Sequence, residues 1–84
     1  MNTWYCVNVE FYNSGEVKAC MTERQATKKP NSHYRHVPGM DALKIWFVSF
    51  TNALQFLEAI QKGEFELDDV LEFYSDVKNV EVAA

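Results

Sequence analysis

The chain has 84 residues, 48% hydrophobic and 14% aromatic, with a net charge of −4 and two cysteines. That length holds one domain near the lower limit for folding without disulfide or metal staples, and the six Phe, four Tyr and two Trp supply enough large apolar side chains for a dense core and exclude a disordered chain. The longest nearly unbroken apolar run, Ile45 to Phe50, is far short of the roughly 20 residues that cross a bilayer. The start Met1-Asn2-Thr3-Trp4 has no basic head before an apolar stretch, so no secretory signal is expected and a cytoplasmic protein with free thiols at Cys6 and Cys20 is.

Residues 4–12, WYCVNVEFY, place Tyr5, Val7, Val9 and Phe11 on one side, the period of a half-buried strand. Asn13-Ser14-Gly15 is turn chemistry, and Val17, Ala19 and Met21 resume the alternation, which predicts a hairpin. A three-residue loop with Gly15 left-handed sets Phe11 against Val17, Val9 against Ala19 and Glu10 against Lys18. From Gln25 to Asp41 the periodicity disappears and Pro30, Pro38 and Gly39 punctuate the chain, which reads as a long surface loop with room for extended stretches. Leu43, Ile45 and Phe47 then predict a third strand. Ser49 or Thr51 caps a helix carrying Ala53, Phe56, Leu57 and Ile60 at helical spacing, and Gly63 ends it. Leu67, Val70, Leu71, Tyr74 and Val77 follow the same period and predict a second helix, with Asp68 and Asp69 near its N-terminus where the dipole favours them. In a competing reading part of residues 71–82 is extended, because Val80 and Val82 alternate and would add a short strand to a sheet edge. The expected fold is a single α+β domain over residues 1–84: a largely antiparallel sheet of three strands, or four with that addition, in the order β-β-β-α-α with the helices packed on the sheet.

Trp4-Tyr5-x-Val7, the Gly15 turn with Val17-x-Ala19, Lys29-Pro30, Tyr34, and Trp46-Phe47-x-Ser49 leading into Ala53 and Phe56 together resemble small uncharacterised proteins encoded by bacteriophages and prophages. The resemblance covers roughly residues 4–62. It implies a mobile-element setting and assigns no functional residue.

Charge is unevenly divided: residues 1–63 hold seven basic and five acidic side chains, whereas residues 64–84 hold seven acidic ones and only Lys78. In KKPNSHYRHVPG, residues 28–39, basic, imidazole and aromatic side chains crowd together. Arg24, Lys28, Lys29 and Arg35 with Tyr34 among them form a candidate nucleic-acid contact, cations for phosphates and one ring for stacking. His33 and His36 have a spacing that meets one metal ion on a helix, but in an extended segment the two rings diverge, so no metal and no cofactor is expected. Asp68, Asp69, Glu72 and Asp76 form a candidate acidic face that reads as a solvated helix surface or, on a basic partner, as a phosphate mimic. Neither a glycine-rich phosphate loop nor a nucleophile elbow occurs, and strand cysteines usually serve packing, so no enzyme is expected.

If the alternating apolar residues face the helices, the reverse face of the sheet carries Trp4, Cys6, Tyr12, Cys20, Trp46 and Val48 among Asn8, Glu10, Lys18, Thr22 and Lys44. Either the second helix crosses over to cover that face, or Trp4, Tyr12 and Trp46 form a protein-contact surface. The expected function is that of a small non-enzymatic interaction protein of phage or prophage type, binding an unknown protein partner or forming a weak homodimer. The alternatives are a nucleic-acid-associated accessory protein using the basic loop 24–36, or an acidic helix that mimics nucleic acid. No membrane partner is expected.

Overall fold

A computed structural model describes residues 1–73 and 79–82 of the chain. The strands are β1 (Asn2–Tyr12), β2 (Val17–Ala26), β3 (His33–Val37), β4 (Met40–Phe47) and β5 (Asn79–Val82), and the helices are α1 (Phe50–Gln61) and α2 (Leu67–Phe73) between β4 and β5. The sheet order is β2-β1-β4-β3-β5, with the first four strands antiparallel to their neighbours and β5 parallel to β3. The fold is therefore α+β with both helices on the sheet, as expected, but with more strands than the periodicity shows.

The first hairpin has the predicted register: Phe11 faces Val17, Glu10 faces Lys18 and Val9 faces Ala19. Gly15, at φ 92°, supplies the left-handed residue of the three-residue loop, and its N–H donates to the Tyr12 carbonyl. The expected loop over residues 25–41 is corrected by the structure. β2 runs on to Ala26, and β3 pairs with β4 through a two-residue turn at Pro38-Gly39, where Gly39 has φ 86°. Pro at the first corner and a positive-φ Gly at the second is type II turn chemistry. The connection between β2 and β3 is tied down by Ser32, which is fully buried and whose Oγ accepts from the Trp46 N–H at 3.1 Å.

Ser49 is the α1 cap, its Oγ accepting from the Asn52 N–H at 3.2 Å. At the other end the Gly63 N–H donates to Ile60 and the Glu64 N–H to Ala59. With Gly63 at φ 77°, this is the paired closure in which a left-handed glycine satisfies the last carbonyls of a helix. α2 starts on Glu66, whose N–H donates to the Asp69 carboxylate at 2.9 Å, one half of a capping box. Leu71 lies in α2 and Val80 and Val82 lie in β5, so the helical and extended readings of residues 71–82 each hold for part of the segment. Tyr74, Asp76 and Val77 fall outside the described residues.

One core joins the layers. Val7, Val9, Leu43 and Ile45 from the sheet meet Ala53, Phe56 and Ile60 from α1 and Val70 from α2, with Tyr5, Phe11, Ala19, Met21 and Phe47 packed around them. Val17, expected among the helix-facing residues, is exposed at 38% because it sits on the outermost strand. Burial of both helices against one face decides the sequence ambiguity for α2, which does not cross over, and among the described residues no helix covers the reverse face of β1 to β4.

Candidate binding face

The pleat decides which side chains share the uncovered face, because opposite members of an antiparallel pair point the same way. The register lines up Thr22, Cys6 and Trp46 in one row; Cys20, Asn8, Lys44 and His33 in the next; and Lys18, Glu10, Ala42 and Arg35 in the third. Trp4 pairs with Arg24 at one end of the face and Tyr12 with Met40 at the other. The three residues expected as a protein contact, Trp4, Tyr12 and Trp46, thus share a face with two of the residues expected as a nucleic-acid contact, Arg24 and Arg35.

The face is partly preorganised. Trp4 is half-buried, and its indole Nε1 donates to the Ala26 carbonyl at 3.1 Å, which holds the ring down on β2. Tyr12 donates through its hydroxyl to Glu10 at 2.8 Å while the Lys18 ammonium lies 5.5 Å from the Tyr12 ring centroid, within cation–π range. Two shallow concavities open on this surface. One, of about 520 Å³, is lined by Lys18, Cys20, Arg35 and their neighbours; the other, of about 440 Å³, is lined by Arg24, Lys28, Trp46 and their neighbours. They share His33 and Lys44, so the basic residues border one continuous track. Glu10 is the one carboxylate among the residues that β1 to β4 direct to this face.

Tyr34 does not belong to the basic cluster in which linear order places it. It pairs with Leu43 on the helix side of the sheet, and its hydroxyl donates to Asp41 Oδ1 at 2.5 Å. His36 points the same way, with Nδ1 2.6 Å from that same oxygen. His33 and His36 therefore lie on opposite sides of β3, as the extended reading expects, and do not converge on one ion. Burial alone would raise the Asp41 carboxyl, but the hydrogen bonds from Tyr34 and His36 and the His36 charge outweigh it and hold it below its ordinary value. The cluster fastens β3 to β4, where the Asp41–His36 cross-strand pair takes the place of an apolar contact.

The acidic residues lie in the helical layer. Asp68 and Asp69 occupy the first turn of α2, with Asp69 engaged in the cap and Glu72 exposed; Asp76 is outside the described residues. Across residues 50–73 the chain carries Glu58, Glu64, Glu66, Asp68, Asp69 and Glu72 against Lys62 alone. Of the acidic part of the sequence, Glu64, Glu66, Asp68, Asp69 and Glu72 thus lie in the helical segment, whereas Glu81 lies in β5 in register with Arg35. His33, Arg35 and Lys28 were not legible as members of this face; the signal for the first two was the i, i+2 spacing in HYRHV ahead of the Pro-Gly turn.

The thiols differ sharply. Cys6 is 1% exposed, with Trp46 and Thr22 opposite it and Trp4 and Asn8 two residues away on its strand, whereas Cys20 is exposed. Burial pushes the Cys6 thiol up, only partly countered by the Lys44 charge, so thiolate is disfavoured there. Cys20 and His33 sit in one row but three strand spacings apart, about 14 Å, too far for a base to reach the thiol. Maleimide at neutral pH should modify Cys20 rapidly and Cys6 only after denaturation, as read by mass spectrometry. Equal rates at both thiols would show that the indole-flanked site is open.

Among the described residues no helix is long and apolar enough to cross a membrane, and no group of three or more His, Cys, Asp or Glu side chains gathers to hold a metal ion. No protein family, curated protein or solved structure matches this chain.

Proposed function

We propose that this is a small non-enzymatic binding protein, of the phage or prophage accessory type that its sequence resembles, and that it contacts its partner across the helix-free face of the sheet. One observation carries the reading. Both helices and the apolar cluster they share with the sheet lie on one side, yet the other side holds Trp4 and Trp46, the only two tryptophans of the chain, with Tyr12 and four of the eight Lys and Arg side chains. A sheet face needed only for solubility would be polar and would not concentrate half-buried aromatic rings. Tryptophan, tyrosine and arginine are the residues that carry binding energy at contact surfaces.

Site-specific photocrosslinking tests this. A benzophenone side chain introduced at Thr22, exposed on the uncovered face, should yield a discrete adduct in bacterial lysate, and the same group at Gln55, exposed on α1, should not. Adducts from position 55 alone, or from neither, would overturn the proposal.

A further inference from the structure

We infer that the occupant of the uncovered face is single-stranded nucleic acid, with phosphates on its basic side chains and bases stacked on its indoles. This rests on the reading of that face as the contact surface and names what it contacts.

Charge is the first argument. Lys18, Arg24, Lys28, Arg35 and Lys44 are five of the eight Lys and Arg residues of the chain. All are exposed, and all border the track formed by the two concavities. Glu10 is the single carboxylate opposing them from β1 to β4, and it is engaged by the Tyr12 hydroxyl; at the sheet edge Glu81 of β5 stands in register with Arg35, which leaves the other four cations on the track. Most of the net negative charge of the protein does not bear on this face, because salt limits charge interactions to about 8–10 Å at ordinary ionic strength and Glu58, Glu64, Glu66, Asp68, Asp69 and Glu72 lie in the helical segment, residues 50–73.

Stacking is the second. Four-stranded sheets that bind single-stranded RNA stack two or three bases on aromatic side chains of their open face, and base stacking is tolerant of sequence because every base has a π-face. Here Trp46 borders the concavity that also holds Arg24, Lys28, His33 and Lys44, so a base on the indole has cations on both sides for its flanking phosphates. The Trp4 ring is already tethered through Nε1, which lowers the ordering cost of using it as a platform.

Duplex DNA fits poorly. Its major groove admits a helix or a two-stranded ribbon, and both helices of this fold carry acid and lie on the far side of the sheet. Two copies placed face to face would oppose like charges.

The position of both tryptophans supplies the readout. Titrating a fluorescein-labelled single strand of about ten nucleotides, a length within the range of single-strand sites, as oligouridylate and as oligothymidylate, should raise anisotropy and quench intrinsic tryptophan fluorescence together. With three to five phosphates neutralised, affinity should fall about 20- to 100-fold between 50 and 200 mM salt. Arg24→Glu with Lys44→Glu, both on exposed side chains, should weaken binding by more than about tenfold and flatten the salt dependence, while Lys62→Glu on the helical side should leave it unchanged. The single strand should outcompete a duplex of the same length and inorganic polyphosphate. Absence of binding at 50 mM salt, equal loss in Lys62→Glu, preference for the duplex, or equal binding of polyphosphate without quenching would each overturn the inference, as would salt-sensitive self-assembly of the protein that accounts for the anisotropy change. Failure here is distinguishable from failure of the contact-surface reading: a position-22 adduct whose size is unchanged by nuclease would leave the surface standing and give it a protein occupant.

Discussion

Phe56→Ala should destabilise the protein by about 3–5 kcal/mol, the usual cost of emptying a buried aromatic site. Phe56 is 5% exposed, and its ring lies between Phe47 of β4, at 5.5 Å between centroids, and Phe65 of the segment joining the helices, at 5.9 Å. It is therefore the contact through which α1 holds both the sheet and the start of α2. A domain of this size has only about 4–13 kcal/mol of total stability, and each kcal/mol corresponds to about 4–8 °C of melting temperature, so the variant should melt at least about 12 °C lower, while Phe56→Leu, which refills most of the site, should recover most of the loss. Thermal unfolding followed by circular dichroism would check this. A fall of less than about 3 °C would show that the aromatic contact does not organise the helical layer.

Asp41→Ala should cost about 1.5–3 kcal/mol at neutral pH, because one carboxylate accepts from both Tyr34 and His36 and hydrogen bonds to charged groups are the stronger kind. The cluster also predicts how stability varies with pH. The Asp41 carboxyl is depressed below its ordinary value of 3.8, so its contribution is present above that value and is lost as pH falls through the depressed one. The Tyr34 phenol is raised, by burial first and then by its hydrogen bond to Asp41, from 10 to about 12. Its contribution is intact below pH 10 and is lost as pH rises from 10 toward 12. Urea unfolding of the wild type should show both limbs, Tyr34→Phe should flatten the alkaline one, and Asp41→Asn should weaken the acid one. If Asp41→Asn leaves the acid limb unchanged, the carboxylate is not the anchor of the β3–β4 hairpin.

The elements that announced themselves in sequence are those with one fully apolar side. β1, β2 and β4 turn Val7, Val9, Ala19, Met21, Leu43 and Ile45 to the core, and α1 turns Ala53, Phe56 and Ile60 there, so their periods of two and 3.6 survive in the residue order. β3 was hidden because its inward residues, Tyr34 and His36, carry polar groups that Asp41 satisfies, and of the two only Tyr34 also packs on the apolar core. The Pro38-Gly39 pair, which closes a two-residue hairpin, reads equally well as loop punctuation. Strand order was beyond reach, since nothing local requires β4 to insert between β1 and β3 or β5 to run parallel to β3. The same missed strand obscured the candidate site. Linear order groups Tyr34 with Lys28, Lys29 and Arg35, whereas the pleat turns Tyr34 to the core side and brings Arg24, Arg35 and Lys44 to the side of Trp4 and Trp46.

The division of labour between the two faces is tested most directly by mapping amide chemical-shift changes while a single-stranded oligonucleotide is added to the labelled protein. Changes should centre on Trp4, Cys20, Thr22, Arg24, Lys44 and Trp46 and leave α1 near its free positions. Changes centred on α1 and α2, with the uncovered sheet face undisturbed at saturation, would contradict it.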